Sequence, residues 1–256
     1  MALLTCDFFS EALQVGTSMT VALPQATESQ IGVSAAEETT EFPVLYLLHG
    51  LSDDHTAWAR YTSIERYAAA AGLAVVMPAA GRSFYADEAH GHRYWEYVAT
   101  ELPQVVQSFF RVSTAREDTF VAGLSMGGYG ALKLALHHPE RYAAAASMSG
   151  ALDVTGLWRL GERQELFERV FGGRPGPSDD LFELLSGVEA ATLPSLHISC
   201  GTDDPLVGSS RRFAAEATSR GVPVTTAFPG GTHEWGLWDR MVGEVITWLP
   251  RTSPAR

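Results

Sequence analysis

Two kinds of apolar stretch alternate along the chain. Leu3–Phe9 and Ser18–Leu23 interleave apolar with polar residues, which predicts two half-exposed strands joined through Val15-Gly16. Pro43–Leu48, Leu73–Met77, Thr119–Ala122, Tyr142–Met148, Leu196–Cys200 and Val224–Phe228 are short apolar or β-branched runs, the mark of strands covered on both faces of a parallel sheet. Helical periodicity fills the intervals at Ser63–Ala71, Arg93–Phe110, Met126–His137, Ser209–Arg220 and a final amphipathic stretch ending at Leu249. Thr62-x-x-Glu65 reads as a capping box with Gly72 as the stop, and Pro103 is expected to kink or split its helix. Pro24–Glu41, Pro78–His92 and Gly231–Trp238 read as loops. Ser149–Thr192 is less regular, with short helices at Glu162–Phe171 and Asp179–Leu185, and forms a small excursion over the strand ends. The alternation predicts one α/β domain over residues 1–256: a mostly parallel twisted sheet with helices on both faces, right-handed crossovers and ligand-binding loops at the strands' carboxyl ends.

The stretch from Asp118 to His138 changes period at Ser125. A strand leads into Gly123-Leu124-Ser125-Met126-Gly127, and a helix closed by Pro139 follows. This is the G-x-S-x-G nucleophile elbow in its required strand–turn–helix setting. A turn that thrusts a serine hydroxyl out of the sheet is cramped, and the residues two positions to either side must lack a Cβ. Gly123 and Gly127 meet that demand.

A serine hydroxyl attacks a carbonyl only if a base removes its proton, and the base needs an acid to fix its tautomer. In this fold the order along the chain is Ser, then Asp or Glu, then His. His233 is the histidine in a loop after the last strand, which makes it the candidate base. A zinc reading of this loop fails, because Leu237 stands where a second ligand would be needed. Asp203 and Asp204 both follow the penultimate strand, so both are candidate acids, with Asp153 as an outside choice.

Composition narrows the partners. A net charge of −12 and a pI near 5.0 argue against nucleic acid and anionic membrane surfaces, and suit a small neutral substrate. Cys6 and Cys200 have neither the number nor the spacing of a disulfide framework or zinc site, so no metal or cofactor is expected. Met1–Phe9 lacks the basic start of a secretory leader, and no apolar run is long enough to span a bilayer, which makes the cytoplasm the default location. A homo-oligomer stays open.

Several motifs in the same order resemble the esterase D family of α/β-hydrolases, closest to its small tributyrin and acetyl esterases. They are Leu-Leu-His-Gly-Leu (47–51), Ser-Phe-Tyr (83–85), Glu-Leu-Pro (101–103), Gly-Leu-Ser-Met-Gly-Gly-Tyr-Gly (123–130), Gly-Thr-Asp-Asp (201–204) and His-Glu-Trp-x-x-Trp-Asp (233–239). The resemblance implies an α/β-hydrolase fold and a serine carboxylesterase acting on acetyl to butyryl esters, with Ser125 as nucleophile, His233 as base and Asp204 as acid. It also implies an oxyanion hole from the backbone N–H groups of Leu51 and Met126, with His49 shaping that loop. Trp58, Tyr85, Tyr94 and Trp235 become candidates for lining the acyl or alcohol pocket. S-formylglutathione hydrolases of the family usually carry Gly-Leu-Thr-Cys where this chain has Gly-Leu-Ser-Asp (50–53). Feruloyl and acetyl-xylan esterases are sibling readings. A catalytically silent binding module would be expected to have lost one of the three site residues, and all three are present.

Overall fold

The computed structural model describes residues 1–27, 31 and 41–250, so most of the loop expected over Pro24–Glu41 lies outside the described residues. Within them the strands are β1 (Ala2–Ser10), β2 (Val15–Leu23), β3 (Val44–Leu48), β4 (Ala74–Pro78), β5 (Thr119–Leu124), β6 (Ala144–Met148), β7 (Ser195–Ser199) and β8 (Val224–Ala227). They form one sheet in the order β1-β2-β4-β3-β5-β6-β7-β8. β1 and β2 make an antiparallel hairpin, β2 runs antiparallel to β4, and all pairs from β4 to β8 are parallel. This is the α/β-hydrolase fold.

The helices are α1 (Ala57–Tyr61), α2 (Ile64–Ala71), α3 (Tyr94–Glu96), α4 (Leu102–Phe109), α5 (Met126–His137), α6 (Val154–Leu160), α7 (Gln164–Phe171), α8 (Leu181–Gly187), α9 (Val207–Ser219) and α10 (Trp235–Trp248). Strand periodicity sorts the core into two layers. Val44, Tyr46 and Leu48 of β3 face a cluster with α4, α5, α7, α8 and α9, while Leu45 and Leu47 face one with α1, α2 and α10. From Met126 to Leu136 every residue of α5 is buried, because α5 is packed between the sheet and α8.

Several local expectations give way to longer-range contacts. Val15-Gly16 belongs to β2, and the hairpin turns at Glu11–Gln14, with Gln14 at φ 56° and its N–H donating to Ser10 O. The capping box does not form. The Thr62 N–H donates to Trp58 O at the end of the unforeseen α1, and the N–H of Ser63, the residue before α2, is met by Asp239 Oδ1 of α10 at 2.7 Å. Near Pro103 the break is a π-helical turn, Tyr97–Glu101, between α3 and α4. Pro103 has no N–H to return to Ala99 O, and the Arg141 guanidinium donates to that carbonyl. The excursion contains one more α-helix than expected, α6, capped by Asp153 Oδ1, which accepts from Gly156 N–H at 2.8 Å. α10 begins at Trp235, which shortens the loop expected to reach Trp238.

Candidate active site

Ser125 sits between β5 and α5 in a left-handed conformation, φ 54° and ψ −116°, of a kind that costs a non-glycine residue about 1–3 kcal/mol. Its surroundings over-determine it. Its N–H donates to Met148 O at 2.9 Å, and its carbonyl accepts from the N–H groups of Tyr129 at 3.1 Å and Ala151 at 3.0 Å. A Cβ on Gly123 would stand 2.3 Å from Gly127 O, and one on Gly127 would stand 2.3 Å from Leu48 O. No side chain fits at either position, so the spacing of the motif is a packing requirement.

The loops after β7 and β8 are pinned to each other. Thr202 N–H donates to Pro229 O at 2.9 Å and Asp203 N–H to Gly231 O at 3.0 Å, and a Cβ on Gly201 would collide with Gly231 O. This brings Asp204 Oδ2 to 2.7 Å from His233 Nδ1, while His233 Nε2 lies 3.1 Å from Ser125 Oγ. Burial alone would raise the Asp204 carboxyl, but hydrogen bonds from His233 and from the Leu206 N–H outweigh it and hold the group below the usual range. An ionised carboxylate only accepts. The proton between it and His233 therefore sits on Nδ1, leaving Nε2 to accept from the serine hydroxyl. Asp203 is exposed and its carboxylate meets Thr202 Oγ1, and Asp153 caps α6 and pairs with Arg212 at 3.0 Å. Of the three aspartates, Asp204 is the one in contact with His233.

His49 is buried, and both of its ring nitrogens are engaged. Nε2 accepts from the Ala80 N–H at 2.9 Å, so the ring proton resides on Nδ1 and is donated to Gly50 O at 2.7 Å. Burial lowers its pKa, which keeps the ring neutral. Gly50 abuts Ser125, since a Cβ there would meet Leu124 Cδ1 at 2.7 Å and Ser125 Cβ at 3.7 Å. The amides of Leu51 and Met126 have no hydrogen-bond acceptor among the described residues. The described residues hold no cluster of three or more His, Cys, Asp or Glu able to bind a metal, and no helix among them is long and apolar enough to cross a membrane.

The sequence profile of the Esterase family matches residues 10–244. The chain belongs to this family, within the esterase D group of α/β-hydrolases. The esterase is similar to an acetyl esterase of Caldicellulosiruptor saccharolyticus, 27% identical over 99% of this chain and all of the relative. Among solved structures it resembles a fluorophosphonate-binding serine hydrolase of Staphylococcus aureus, at 33% identity and TM-score 0.87, covering 98% of this chain and 99% of that one. An S-formylglutathione hydrolase of the same organism matches at 33% identity and TM-score 0.84, with the same coverage. The protein is a carboxylic ester hydrolase of the serine-esterase type.

The aromatic residues expected to line this esterase's pocket divide. Trp58 and Tyr85 are fully buried and brace the site from behind, through Trp58 Nε1 donating to Leu48 O at 3.1 Å and Tyr85 OH donating to His49 O at 3.0 Å. Neither ring reaches the surface, so neither lines an open pocket in this conformation. Tyr94 is half-buried over Gly81. Trp235 is partly exposed and packs edge-on to Trp58 and Trp238, and Trp238 in turn packs edge-on to His233 at 4.8 Å.

Sequence reasoning missed Lys133. This buried lysine of α5 pairs with Asp179 Oδ1 at 2.7 Å, donates to Tyr85 O at 3.3 Å and lies 4.6 Å from the centre of the Trp95 ring. Burial lowers its pKa, against the opposing pull of Asp179. It ties the elbow helix, the 83–85 loop and the excursion to a single ammonium. A lysine at an interior position of an otherwise apolar helix was the available signal.

Proposed function

We propose that this esterase hydrolyses short-chain acyl esters, acetyl to butyryl, through Ser125, His233 and Asp204. The observation that carries the reading is the continuous hydrogen-bonded chain from Ser125 Oγ through both nitrogens of His233 to a buried carboxylate. In the forward step Ser125 Oγ bonds to the acyl carbon as its proton passes to His233 Nε2, and the carbonyl oxygen takes up the displaced electron pair. The Nδ1–H bond to Asp204 stabilises the imidazolium thus formed. Collapse breaks the bond to the alcohol, which leaves with the proton from Nε2. Water then repeats the sequence on the acyl-enzyme and releases the acid.

The oxyanion donors in this reading are the Leu51 and Met126 N–H groups, each worth about 3–4 kcal/mol. Peptide geometry supports Leu51. Gly50 O and Leu51 N–H belong to one trans peptide and point in opposite directions. His49 Nδ1–H and the Asp53 N–H, at 3.3 Å, both hold Gly50 O, which turns the Leu51 N–H to the other side.

A short acyl chain is favoured by the likeness to a relative named an acetyl esterase that aligns over its whole length. A second reading, S-formylglutathione hydrolysis, draws on the 33% identity to the staphylococcal enzyme of that name. A fluorophosphonate should label Ser125 stoichiometrically. Ser125→Ala should abolish labelling and cut turnover of p-nitrophenyl acetate by about six orders of magnitude. Activity within tenfold of wild type would refute the assignment. A panel of acetyl to octanoyl esters with S-formylglutathione included separates the two substrate readings.

A further inference from the structure

The strand β1 is an open edge. It pairs with β2 along its whole length, Ala2 with Leu23 through to Ser10 with Val15, and has no strand on its other side among the described residues. Exposed edges are usually blunted by lysines, prolines or bulges that discourage pairing with another chain. Ala2–Ser10 contains no Lys, Arg or Pro, and its register with β2 is unbroken. Its one charge, Asp7, accepts a hydrogen bond from Ser18 Oγ of β2. Large apolar side chains stand in solvent instead, with Leu3 at 47% exposure, Leu4 at 37% and Phe9 at 61%.

The order of residues specifies the partner. We propose that β1 pairs with β1 of a second copy of this chain, antiparallel about a two-fold axis through Cys6, so that two sheets become one. Residues directly opposite in an antiparallel pair lie on the same face, and a two-fold axis normal to the sheet maps each face onto itself. Odd residues must then meet odd ones and even meet even, so the axis passes through a residue, and an overlap of most of Ala2–Ser10 leaves Thr5, Cys6 or Asp7 as the central position. Centring on Thr5 sets Leu3 against the Asp7 carboxylate. Centring on Asp7 sets the two carboxylates face to face and Thr5 against Phe9. Centring on Cys6 sets Leu3 opposite Phe9, Leu4 opposite Phe8, and the Thr5 hydroxyl opposite the Asp7 carboxylate.

Over Leu3–Phe9, only the Cys6 register matches every apolar residue with an apolar one. The strand is a palindrome in character, two apolar residues and a polar one on each side of the cysteine. The second layer agrees, because Phe8 packs edge-on to Phe109 of α4, itself 54% exposed, which widens the surface that Leu4 of the other copy would cover. The two Asp7 side chains end up diagonal to one another on one face, so added salt should tighten the pairing.

Light scattering coupled to size exclusion, run on the full chain at micromolar concentration, should report a dimer. Leu3→Lys combined with Phe9→Lys should raise the dissociation constant about a hundredfold or more, with the far-ultraviolet circular dichroism spectrum and ester turnover retained as evidence of folding. Across the axis the two Cys6 Cα atoms would lie about 4.5–5.5 Å apart, within disulfide reach. Mild oxidation should therefore give a covalent dimer from the wild type and none from Cys6→Ser, which should still dimerise without the bond. A monomeric wild type, a double-lysine variant that stays dimeric, or a wild-type dimer whose Cys6 accepts a small thiol reagent yet never cross-links would each overturn the proposal.

Discussion

The loop carrying His49 and the loop carrying His233 both come up against Ser125, yet they are held in different ways. His49 is 1% exposed, and its two nitrogens serve backbone groups. The carbonyl of His49 is held by Tyr85 OH, and Tyr85 O in turn by Lys133. The His233 side chain is about a third exposed (32%), and its nitrogens face a carboxylate and a hydroxyl. In the proposed mechanism the His233 ring gains and loses a proton in each cycle, which suits a place near water and beside a charge. A ring that only fixes a peptide plane is better buried, where protonation is costly and its tautomer constant.

The largest effect that can break this comparison, after loss of Ser125, the proposed nucleophile, is at Asp204. Asp204→Asn should lower kcat by about four orders of magnitude at neutral pH, because an amide can present an N–H to Nδ1 and favour the wrong tautomer. Asp203→Asn, altering an exposed side chain without contact to His233, should stay within about threefold. The opposite ranking in steady-state assays would move the acid to Asp203. Next comes the buried wall. Tyr85→Phe strips His49 O of its donor and leaves a buried carbonyl unsatisfied, so denaturant melts should show a loss of about 1–3 kcal/mol. Turnover should fall about tenfold with KM nearly constant, as expected if the loop supports the transition state and not the ground state. A change in KM alone would place Tyr85 in substrate binding instead.

A smaller effect lies away from the site. His197 of β7 is buried beside Trp248, and burial lowers its pKa to about 4. The unfolded chain, with an ordinary value near 6.5, binds a proton that the folded chain refuses between those two pH values. Stability from this residue is complete above about pH 6.5 and is lost as pH falls toward 4. Going from pH 7 to pH 5 should cost about 2 kcal/mol through His197. His197→Gln should flatten that part of the pH profile of the urea midpoint while leaving turnover at pH 7 unchanged.

The parallel strands, the elbow and the chain order of Ser125, the Asp203-Asp204 loop and His233 were legible in the sequence because each rests on local pattern: apolar runs, a glycine on either side of the serine, and loops at fixed places after strands. The choice between Asp203 and Asp204 was not a local matter. It came from the resemblance, and in the fold the pinned β7 and β8 loops turn the Asp204 side chain, not that of Asp203, toward His233. The failed capping box shows the same limit, since Asp239 lies far along the chain from the amide it caps. Lys133 escaped notice because its partners come from two separate loops. Trp58 and Tyr85 carried the right composition for a pocket but are enclosed, and exposure is decided by packing that no single stretch encodes.

The backbone of Ser125 carries a consequence for durability. A conformation that only glycine adopts without penalty is occupied by a serine, which on the proposed mechanism is there for its hydroxyl, so the fold is less robust than it could be. Ser125→Gly should be inert toward esters yet melt at a higher temperature than the working enzyme. The margin between the two proteins would measure what the Ser125 side chain costs the scaffold that presents it.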